Sequence, residues 1–173
     1  MKEITTLSVF DFDGTLFDSP MPDTGRAEYE EKIGKPWPYQ GWWGRAESLD
    51  MNIFDINPIS TVIADYKTEK TDPNTSVVML TGRMQKLSDK VMAILKANGL
   101  EFDGHYFNRG GSTDVEKIRT LNKLLDEQPT IKIVKMWDDR LEHIPIFEQR
   151  GKEKVESGRL EDFSITVVPA GRH

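Results

Sequence analysis

The chain has 173 residues, of which 37% are hydrophobic and 30% charged, a balance that excludes wholesale disorder and fits one domain over residues 1–173. The net charge of -6 provides no general attraction for nucleic acid, and the absence of cysteine excludes disulfides and thiol chemistry. Since no apolar run is long enough to span a membrane and residues 1–6 lack the apolar core of a secretory signal, we expect a cytoplasmic protein.

The first predicted element is a short buried strand, Leu7-Ser8-Val9-Phe10, which is followed by two carboxylates one residue apart. Because side chains alternate along an extended chain, Asp11 and Asp13 point the same way. Two acids aimed at one spot repel each other unless a cation lies between them or one holds a proton. Gly14 lets the backbone turn sharply just beyond the pair. The pattern predicts a metal-assisted phosphoryl-transfer site at the end of a parallel strand.

The least regular part of the chain, residues 18–56, is rich in proline and glycine. This composition predicts a loop-rich insertion close to the acid pair, with a helical turn or two over residues 26–32. Two adjacent tryptophans in the insertion, Trp42 and Trp43, are expected either to pack beneath these loops or to stack against a nucleobase.

Strands and helices alternate through the remainder of the chain. The predicted strands are Ser76–Leu80, His105–Asn108, Ile131–Trp137 and Ser164–Val168. The predicted helices begin at Asn57-Pro58, after Arg83, at the capping box Thr113-Asp114-Val115-Glu116, and around Glu142, where the last one runs to Arg150. This alternation predicts an α/β fold with a central parallel sheet, whose ligands bind beyond the carboxyl ends of the strands.

Polar residues stand at three of these strand ends. Asp11, Thr81 and Asp138 each follow a predicted strand, which indicates one shared site. Magnesium prefers oxygen ligands, and Asp13 and Asp139 add two further carboxylates to this set. The predicted metal ligands are therefore these four acids, with Mg²⁺ as the expected cofactor.

Other polar residues near the strand ends are candidates for holding a phosphoryl group. Thr81 and the flexible backbone at Gly82 could donate hydrogen bonds to its oxygens. Lys117, in the first turn of its helix, could neutralise the nucleophile and the phosphate together. Arg83 and Arg140 could either pair with carboxylates and fix loops or clamp a phosphate bidentately.

Four segments in order resemble the motifs of the haloacid dehalogenase (HAD) superfamily of aspartate-nucleophile phosphatases. Asp11-Phe12-Asp13-Gly14-Thr15 is similar to the first motif, and Leu80-Thr81-Gly82-Arg83, Lys117 and Asp138-Asp139 are similar to the second, third and fourth. The resemblance implies a HAD-like Rossmannoid fold of three layers.

The same resemblance implies a role for each motif residue. Asp11 would be the nucleophile that forms an aspartyl-phosphate, and Asp13 would be the general acid and base. Thr81 and Lys117 would hold the phosphoryl group. The Mg²⁺ ligands would be Asp11, Asp138, Asp139 and the main-chain carbonyl of Asp13.

Shorter segments resemble one branch of that superfamily, found in the Swiss Army Knife RNA-repair proteins, which are predicted to process RNA ends. These segments are Asp18–Pro22, Gly41–Trp43, Leu80–Arg83, Ser112-Thr113 and Asp139-Arg140 with His143. The chain departs from the branch at Trp137-Asp138, where a tyrosine or isoleucine followed by a glutamate is expected. Aspartate keeps the charge of glutamate and shortens its reach.

The spacing of the motifs leaves no room for a large cap domain, since only about sixty residues, many of them in loops, separate Gly14 from Val77. An open site admits the end of a polymer, which favours a phosphatase of terminal (3′) phosphates on RNA or DNA. The alternatives are a phosphatase of free nucleotides or other small phosphomonoesters and, more remotely, a non-catalytic binding module. No motif predicts an oligomeric state.

Overall fold

The computed structural model describes residues 3–169, in which a five-stranded parallel sheet is flanked by helices on both faces. The strands are β1 (Thr6–Phe10), β2 (Phe17–Asp18), β3 (Asn57–Pro58), β4 (Thr75–Met84), β5 (Gly104–Asn108), β6 (Ile133–Asp138) and β7 (Asp162–Val167). The helices are α1 (Pro22–Ile33), α2 (Ser60–Lys70), α3 (Ser88–Ala97), α4 (Thr113–Glu127) and α5 (Ile144–Glu156). Short 3₁₀ turns occupy Ala46–Leu49 and Gln85–Leu87.

Strand β1 lies at the centre of the sheet, whose spatial order is β5-β4-β1-β6-β7. It pairs in parallel with β4 on one side and β6 on the other, with Phe10 opposite Met79 and Trp137. The carboxyl ends of these three strands therefore meet at one edge, where open α/β sheets bind their ligands.

The sheet separates two apolar clusters, because successive side chains of a strand point to opposite faces. Leu7 and Val9 of β1 join the cluster beneath α4 and α5, whereas Phe10 joins the cluster on the α2 and α3 side. Every residue of β1 is buried, as expected for the central strand of a parallel sheet. This arrangement confirms the predicted three-layer Rossmannoid fold.

The insertion after β1 is more regular than the sequence predicts. In place of a helical turn or two over residues 26–32, α1 runs for 12 residues from Pro22 to Ile33. Proline fits the first turn of a helix, because the backbone N–H that it lacks would have no intrahelical partner there. Gly34 ends the helix at φ 82°. Strands β2 and β3 form an antiparallel ribbon at the base of the insertion.

Several predicted element boundaries are wrong by a few residues. Asn57 and Pro58 form β3 and pair with β2, so α2 begins at Ser60. Ser112 precedes α4 as its N-cap, one residue before the predicted capping box. At the far end of the chain, α5 runs to Glu156, because no proline interrupts it after residue 150.

Candidate active site

The backbone beyond β1 folds into a tight turn that depends on Gly14. This glycine has φ 72°, a left-handed conformation that side chains disfavour, and its N–H donates a hydrogen bond to the Phe17 carbonyl at 2.8 Å. A Cβ atom at this position would also collide with the carboxylate of Asp139. The turn after β1 is therefore packed directly against the turn after β6.

Three carboxylates meet where these turns touch. Single oxygens of Asp11, Asp138 and Asp139 all lie within 4.8 Å of one another. Burial, together with the neighbouring charges of Asp138 and Asp139, raises the pKa of Asp11 well above its usual value, although Lys117 opposes the shift. Burial and the charge of Asp138 likewise raise the pKa of Asp139. Clustered hard oxygen ligands that repel one another fit a divalent cation such as Mg²⁺.

Lys117 lies between two of these acids. Its Nζ donates hydrogen bonds to Asp11 Oδ1 at 2.9 Å and Asp138 Oδ2 at 2.7 Å, and the residue is 2% exposed. Burial alone would lower the pKa of Lys117, but the charges of Asp11 and Asp138 raise it above its ordinary value. The second oxygen of Asp11, Oδ2, accepts a hydrogen bond from the Thr15 hydroxyl at 3.0 Å. The Asp11 carboxylate is thus fixed at both oxygens.

Asp13 is held apart from the acid cluster by its own partners. Its Oδ2 accepts a hydrogen bond from Arg83 Nε at 2.8 Å, and its Oδ1 accepts bonds from Arg83 Nη2 at 2.9 Å and the Ser19 hydroxyl at 2.6 Å. Burial alone would raise the pKa of Asp13, but Arg83 and the Ser19 hydrogen bond hold it below its usual value. The sequence patterns did not single out Ser19, although it lies within the segment 18–22 that resembles the RNA-repair branch.

Arg83 also joins the insertion to the site. Its Nη1 donates hydrogen bonds to the Trp43 carbonyl at 2.9 Å and to Ser48 Oγ at 2.7 Å. The guanidinium carbon lies 4.9 Å from the centroid of the Trp43 ring. Of the two alternatives for this arginine, the structure shows the carboxylate pair that fixes a loop. The contribution of Ser48 has no signal in the sequence.

A cleft of about 330 Å³ opens above the acids. It is lined by Asp11, Asp13, Met21, Pro22, Trp43, Gly82, Arg83, Thr113, Lys117, Asp139, Arg140 and Glu142. Gly82 lies so close to Thr113 that an added Cβ would be 2.7 Å from its methyl carbon. Arg140 lies at the rim and pairs with Glu142 at 2.9 Å.

Some predicted site residues lie behind the walls of the cleft. Thr81, 2% exposed, is inside β4, where its Oγ1 accepts a hydrogen bond from the Arg83 N–H at 3.0 Å. Asp138 is buried at the end of β6, and its Oδ1 accepts the Arg140 N–H at 3.0 Å. His143, which was named only in the resemblance to the RNA-repair branch, is also buried, and its ring contacts Phe147.

The two tryptophans of the insertion have different surroundings. Trp42 is 3% exposed, and its Nε1 donates a hydrogen bond to the Pro20 carbonyl at 3.0 Å. Gly25 of α1 packs against its ring, where a larger side chain would collide. Of the two alternatives for Trp42, the structure shows packing beneath the loops of the insertion, because its ring fills the core, whereas Trp43 is 38% exposed at the cleft.

Comparisons with known proteins give a family and a fold. A family model described as HAD domain family 1 in Swiss Army Knife RNA repair proteins matches residues 35–173. No curated protein matches the chain. Within residues 3–169, no helix has both the length and the apolar character needed to cross a membrane.

Three solved structures illustrate the shared fold. A chain of the Pnkp1/Rnl/Hen1 complex has a TM-score of 0.59 and 16% identity, covering 98% of this chain and 47% of that one. The present chain thus spans about half of that protein's length. The HAD domain of effector protein Lem4 from Legionella pneumophila has a TM-score of 0.59 and 12% identity, covering 99% and 90% of the two chains. A predicted phosphatase from Clostridium acetobutylicum has a TM-score of 0.52 and 15% identity, covering 95% of each.

Proposed function

This chain belongs to HAD domain family 1 of the Swiss Army Knife RNA repair proteins, and on that premise we propose that it is a Mg²⁺-dependent phosphomonoester hydrolase acting on the terminal 3′ phosphates of RNA or DNA. The observation that carries the proposal is the meeting of Asp11, Asp138 and Asp139 within 4.8 Å, with Lys117 bonded to two of them. Buried acids around a buried lysine are costly to maintain, and they are the groups that a phosphoryl-transfer site requires.

Mg²⁺ would be held by the carboxylates of Asp11, Asp138 and Asp139, with the main-chain carbonyl of Asp13 as the further ligand that the family resemblance implies. When bound, the cation would neutralise charge on the phosphate oxygens. The donor set fits this ion, because Mg²⁺ takes a few carboxylates and fills its remaining positions with water and phosphate oxygens.

Asp11 is the proposed nucleophile. One of its oxygens forms a bond to phosphorus while the bond from phosphorus to the 3′ oxygen of the nucleotide breaks, giving an aspartyl-phosphate. Lys117 and Thr15 orient this carboxylate, and Lys117 also offers positive charge to the phosphoryl group. Water then attacks the same phosphorus, which releases inorganic phosphate and regenerates the carboxylate.

Asp13 is the proposed proton carrier of both steps. It gives a proton to the leaving 3′ oxygen in the first step and takes one from the attacking water in the second. In the structure both of its oxygens accept hydrogen bonds from Arg83 or Ser19, and these contacts favour the ionised carboxylate. At least one of them must loosen for Asp13 to take up the proton that it donates in the first step. Arg83 is therefore a positioning residue for Asp13.

Phosphate release in the presence of Mg²⁺ tests the proposal. The substrates are a 3′-phosphorylated oligonucleotide, a 5′-phosphorylated oligonucleotide and mononucleotides, each in RNA and DNA form. We expect the 3′-phosphorylated oligonucleotide to be the best substrate and a chelator to abolish its hydrolysis. Asp11→Asn should lower turnover by a factor on the order of 10³ or more, because it removes the nucleophile. Asp126→Asn, an exposed aspartate on α4, is the matched control.

A second candidate is a phosphatase of free nucleotides or other small phosphomonoesters. The volume of the cleft, about 330 Å³, favours it, since small-molecule sites begin at about this size. Faster turnover of mononucleotides than of either oligonucleotide would establish this candidate and contradict the proposal for nucleic acid ends. Unchanged turnover in Asp11→Asn would contradict both.

A further inference from the structure

A second depression lies beside the cleft, between the outer strand β5 and helix α4. This β5–α4 groove has a volume of about 200 Å³. It is lined by Gln85, His105, Tyr106, Phe107, Arg109, Glu116, Arg119, Thr120 and Lys123. None of these residues belongs to a segment that resembles a HAD motif, although Gln85 and Glu116 lie close in sequence to Arg83 and Lys117. The groove is therefore part of the surface around the proposed catalytic residues.

The groove and the cleft are both lined by helix α4 and by residues at or just beyond the carboxyl end of β4. Gln85 lies two residues beyond Arg83 of the cleft, at the carboxyl end of β4. On α4, Thr113 and Lys117 line the cleft and lie one helical turn apart. The adjacent face of the same helix lines the groove with Glu116, Arg119, Thr120 and Lys123. The loop over residues 109–112 joins β5, which lines the groove, to the first turn of α4, where Thr113 lines the cleft.

The groove carries positive charge on a chain whose net charge is -6. Its cations are Arg109, exposed after β5, and Arg119 and Lys123, whose side chains are 70% and 62% exposed. Two acids lower this charge: Glu116 pairs with Arg119 at 2.7 Å, and Glu127 lies 3.8 Å from Lys123. An excess of one positive charge remains, on long side chains that can reach a ligand.

One aromatic ring accompanies these cations on the α4 side of the sheet. His105, Tyr106 and Phe107 are all partly exposed along β5, but only Tyr106 packs on the cluster beneath α4, whereas Phe107 and His105 pack toward the cluster on the α2 and α3 side. Basic side chains that follow a backbone, beside ring faces on which bases stack, are the features by which proteins bind single strands without sequence preference. Arg119 and Lys123 lie four residues apart on one helix face, about 6 Å along its axis, and each has an acid beside it, so the net positive charge of the groove comes from Arg109.

We propose that the β5–α4 groove binds the phosphate backbone of a single-stranded polynucleotide whose 3′-terminal phosphate occupies the cleft. This inference rests on the proposed function, because the groove extends the site that the function requires. On this proposal a mononucleotide occupies the cleft alone, whereas a longer strand also occupies the groove. The groove would thus give the enzyme a preference for polymer ends over free nucleotides.

The double variant Arg109→Gln/Lys123→Gln tests the groove and leaves the pair of Arg119 and Glu116 intact. Binding of a fluorescent 3′-phosphorylated ten-nucleotide strand is measured by anisotropy over a range of salt concentrations, in RNA and DNA form. The background is Asp11→Asn, which prevents turnover. We expect affinity to fall on the order of tenfold, and the slope of log affinity against log salt to decrease in magnitude by about 1.4. Binding of a nucleoside 3′-phosphate should not change.

The matched control is Arg150→Gln/Lys152→Gln, which removes the same two charges from exposed positions on α5, at the β7 end of the sheet. Equal affinities of the groove variant and this control would overturn the proposal. An equal loss for the mononucleotide would also overturn it, because the groove would then not sense strand length. A third result would also overturn it. An acidic peptide that pairs with the open edge of β5 would lose affinity in the groove variant, while the affinity of the oligonucleotide would not change.

Turnover separates this inference from the proposed function. With Asp11 restored, the groove variant should hydrolyse p-nitrophenyl phosphate at the wild-type rate and lose on the order of tenfold in kcat/KM on the ten-nucleotide substrate. If the wild-type chain releases phosphate from no substrate, the function fails, and the binding measurement still decides whether the groove holds a strand. If turnover is present and kcat/KM is independent of the groove, only the groove proposal fails.

Discussion

Gly14 shows how a single position joins two motifs that are distant in sequence. Its φ of 72° disfavours any residue with a side chain, and the nearby Asp139 carboxylate separately leaves no space for a Cβ atom. Gly34 has a similar φ of 82° and no atom near the position of a Cβ. The two glycines therefore allow the cost of the contact to be measured apart from the cost of the backbone conformation.

We predict that Gly14→Ala destabilises the protein more than Gly34→Ala. The control should cost about 1 kcal/mol in the free energy of unfolding, because alanine is disfavoured at positive φ. Gly14→Ala adds the displacement of Asp139, so its total should be about 3 kcal/mol, with loss of turnover. Denaturant unfolding and phosphate release measure the two effects. Equal destabilisation by both variants would show that the contact with Asp139 is easily relieved.

Lys117 neutralises acids that would otherwise repel one another in the interior. We predict that Lys117→Met lowers the free energy of unfolding by about 3 kcal/mol in the absence of divalent cations, since removing one partner of a buried ion pair leaves the other uncompensated. Lys123→Met, on an exposed face of the same helix, should change it by less than about 0.5 kcal/mol. Thermal unfolding in a chelator provides the comparison. Similar values for the two variants would refute the structural role of Lys117.

The insertion is the element that the sequence describes least well. Helix α1 buries only Gly25 among its 12 residues, so it has no apolar stripe to reveal it. Strands β2 and β3 have two residues each, too few for a periodic pattern. By contrast, the apolar runs of β1, β4 and β6 predict these strands clearly, because strands buried on both faces contain few polar residues.

In the site, too, residues can be predicted from their own sequence segment, whereas contacts between residues far apart in the chain cannot. The acids at the strand ends could be predicted from the sequence, because parallel strands bring their carboxyl ends to one edge. The bond from Arg83 to Asp13 spans 70 residues, and its contact with Ser48 depends on how the insertion folds back. Trp42 was ambiguous for a related reason, since its burial depends on contacts with other parts of the insertion, such as Gly25 of α1 and the Pro20 carbonyl.

Arg83 connects β4 to the insertion, and we predict that Arg83→Lys loosens residues 43–48. Lysine keeps the charge but lacks the planar fork that reaches Asp13, the Trp43 carbonyl and Ser48 together. Amide exchange in this segment should accelerate, and kcat should fall on the order of tenfold or more for a substrate with a poor leaving group. Hydrogen exchange and leaving-group comparisons measure these effects.

The rim arginine supplies the control for this prediction. Arg140→Lys changes the same residue type at the cleft, but Arg140 pairs only with Glu142 through its side chain in the part of the chain that the structure describes. Its substitution should leave exchange of residues 43–48 unchanged. Slow exchange that persists in Arg83→Lys would show that other contacts hold the insertion in place.

At the scale of the whole molecule, a bound cation should stabilise the fold. An ion that binds only the native state adds about 2.7 kcal/mol when its concentration is 100 times its Kd. We therefore predict that Mg²⁺ raises the melting temperature of the wild-type protein, and that Asp138→Asn abolishes most of this increase. Asp65→Asn, an aspartate of α2 outside the acid cluster, is the control. The same Mg²⁺ response in all three proteins would place the ion elsewhere.

The guanidinium of Arg83 also links the wall of the proposed substrate cleft to the proposed proton carrier. Its Nη1 donates to the Trp43 carbonyl in the wall of the cleft, and its Nε and Nη2 donate to Asp13, the proposed proton carrier. A ligand that moved the Trp43 segment would be expected to change the position of Asp13 as well. Redesign of the insertion for new substrates would therefore alter the rate of the chemical step as well as the affinity.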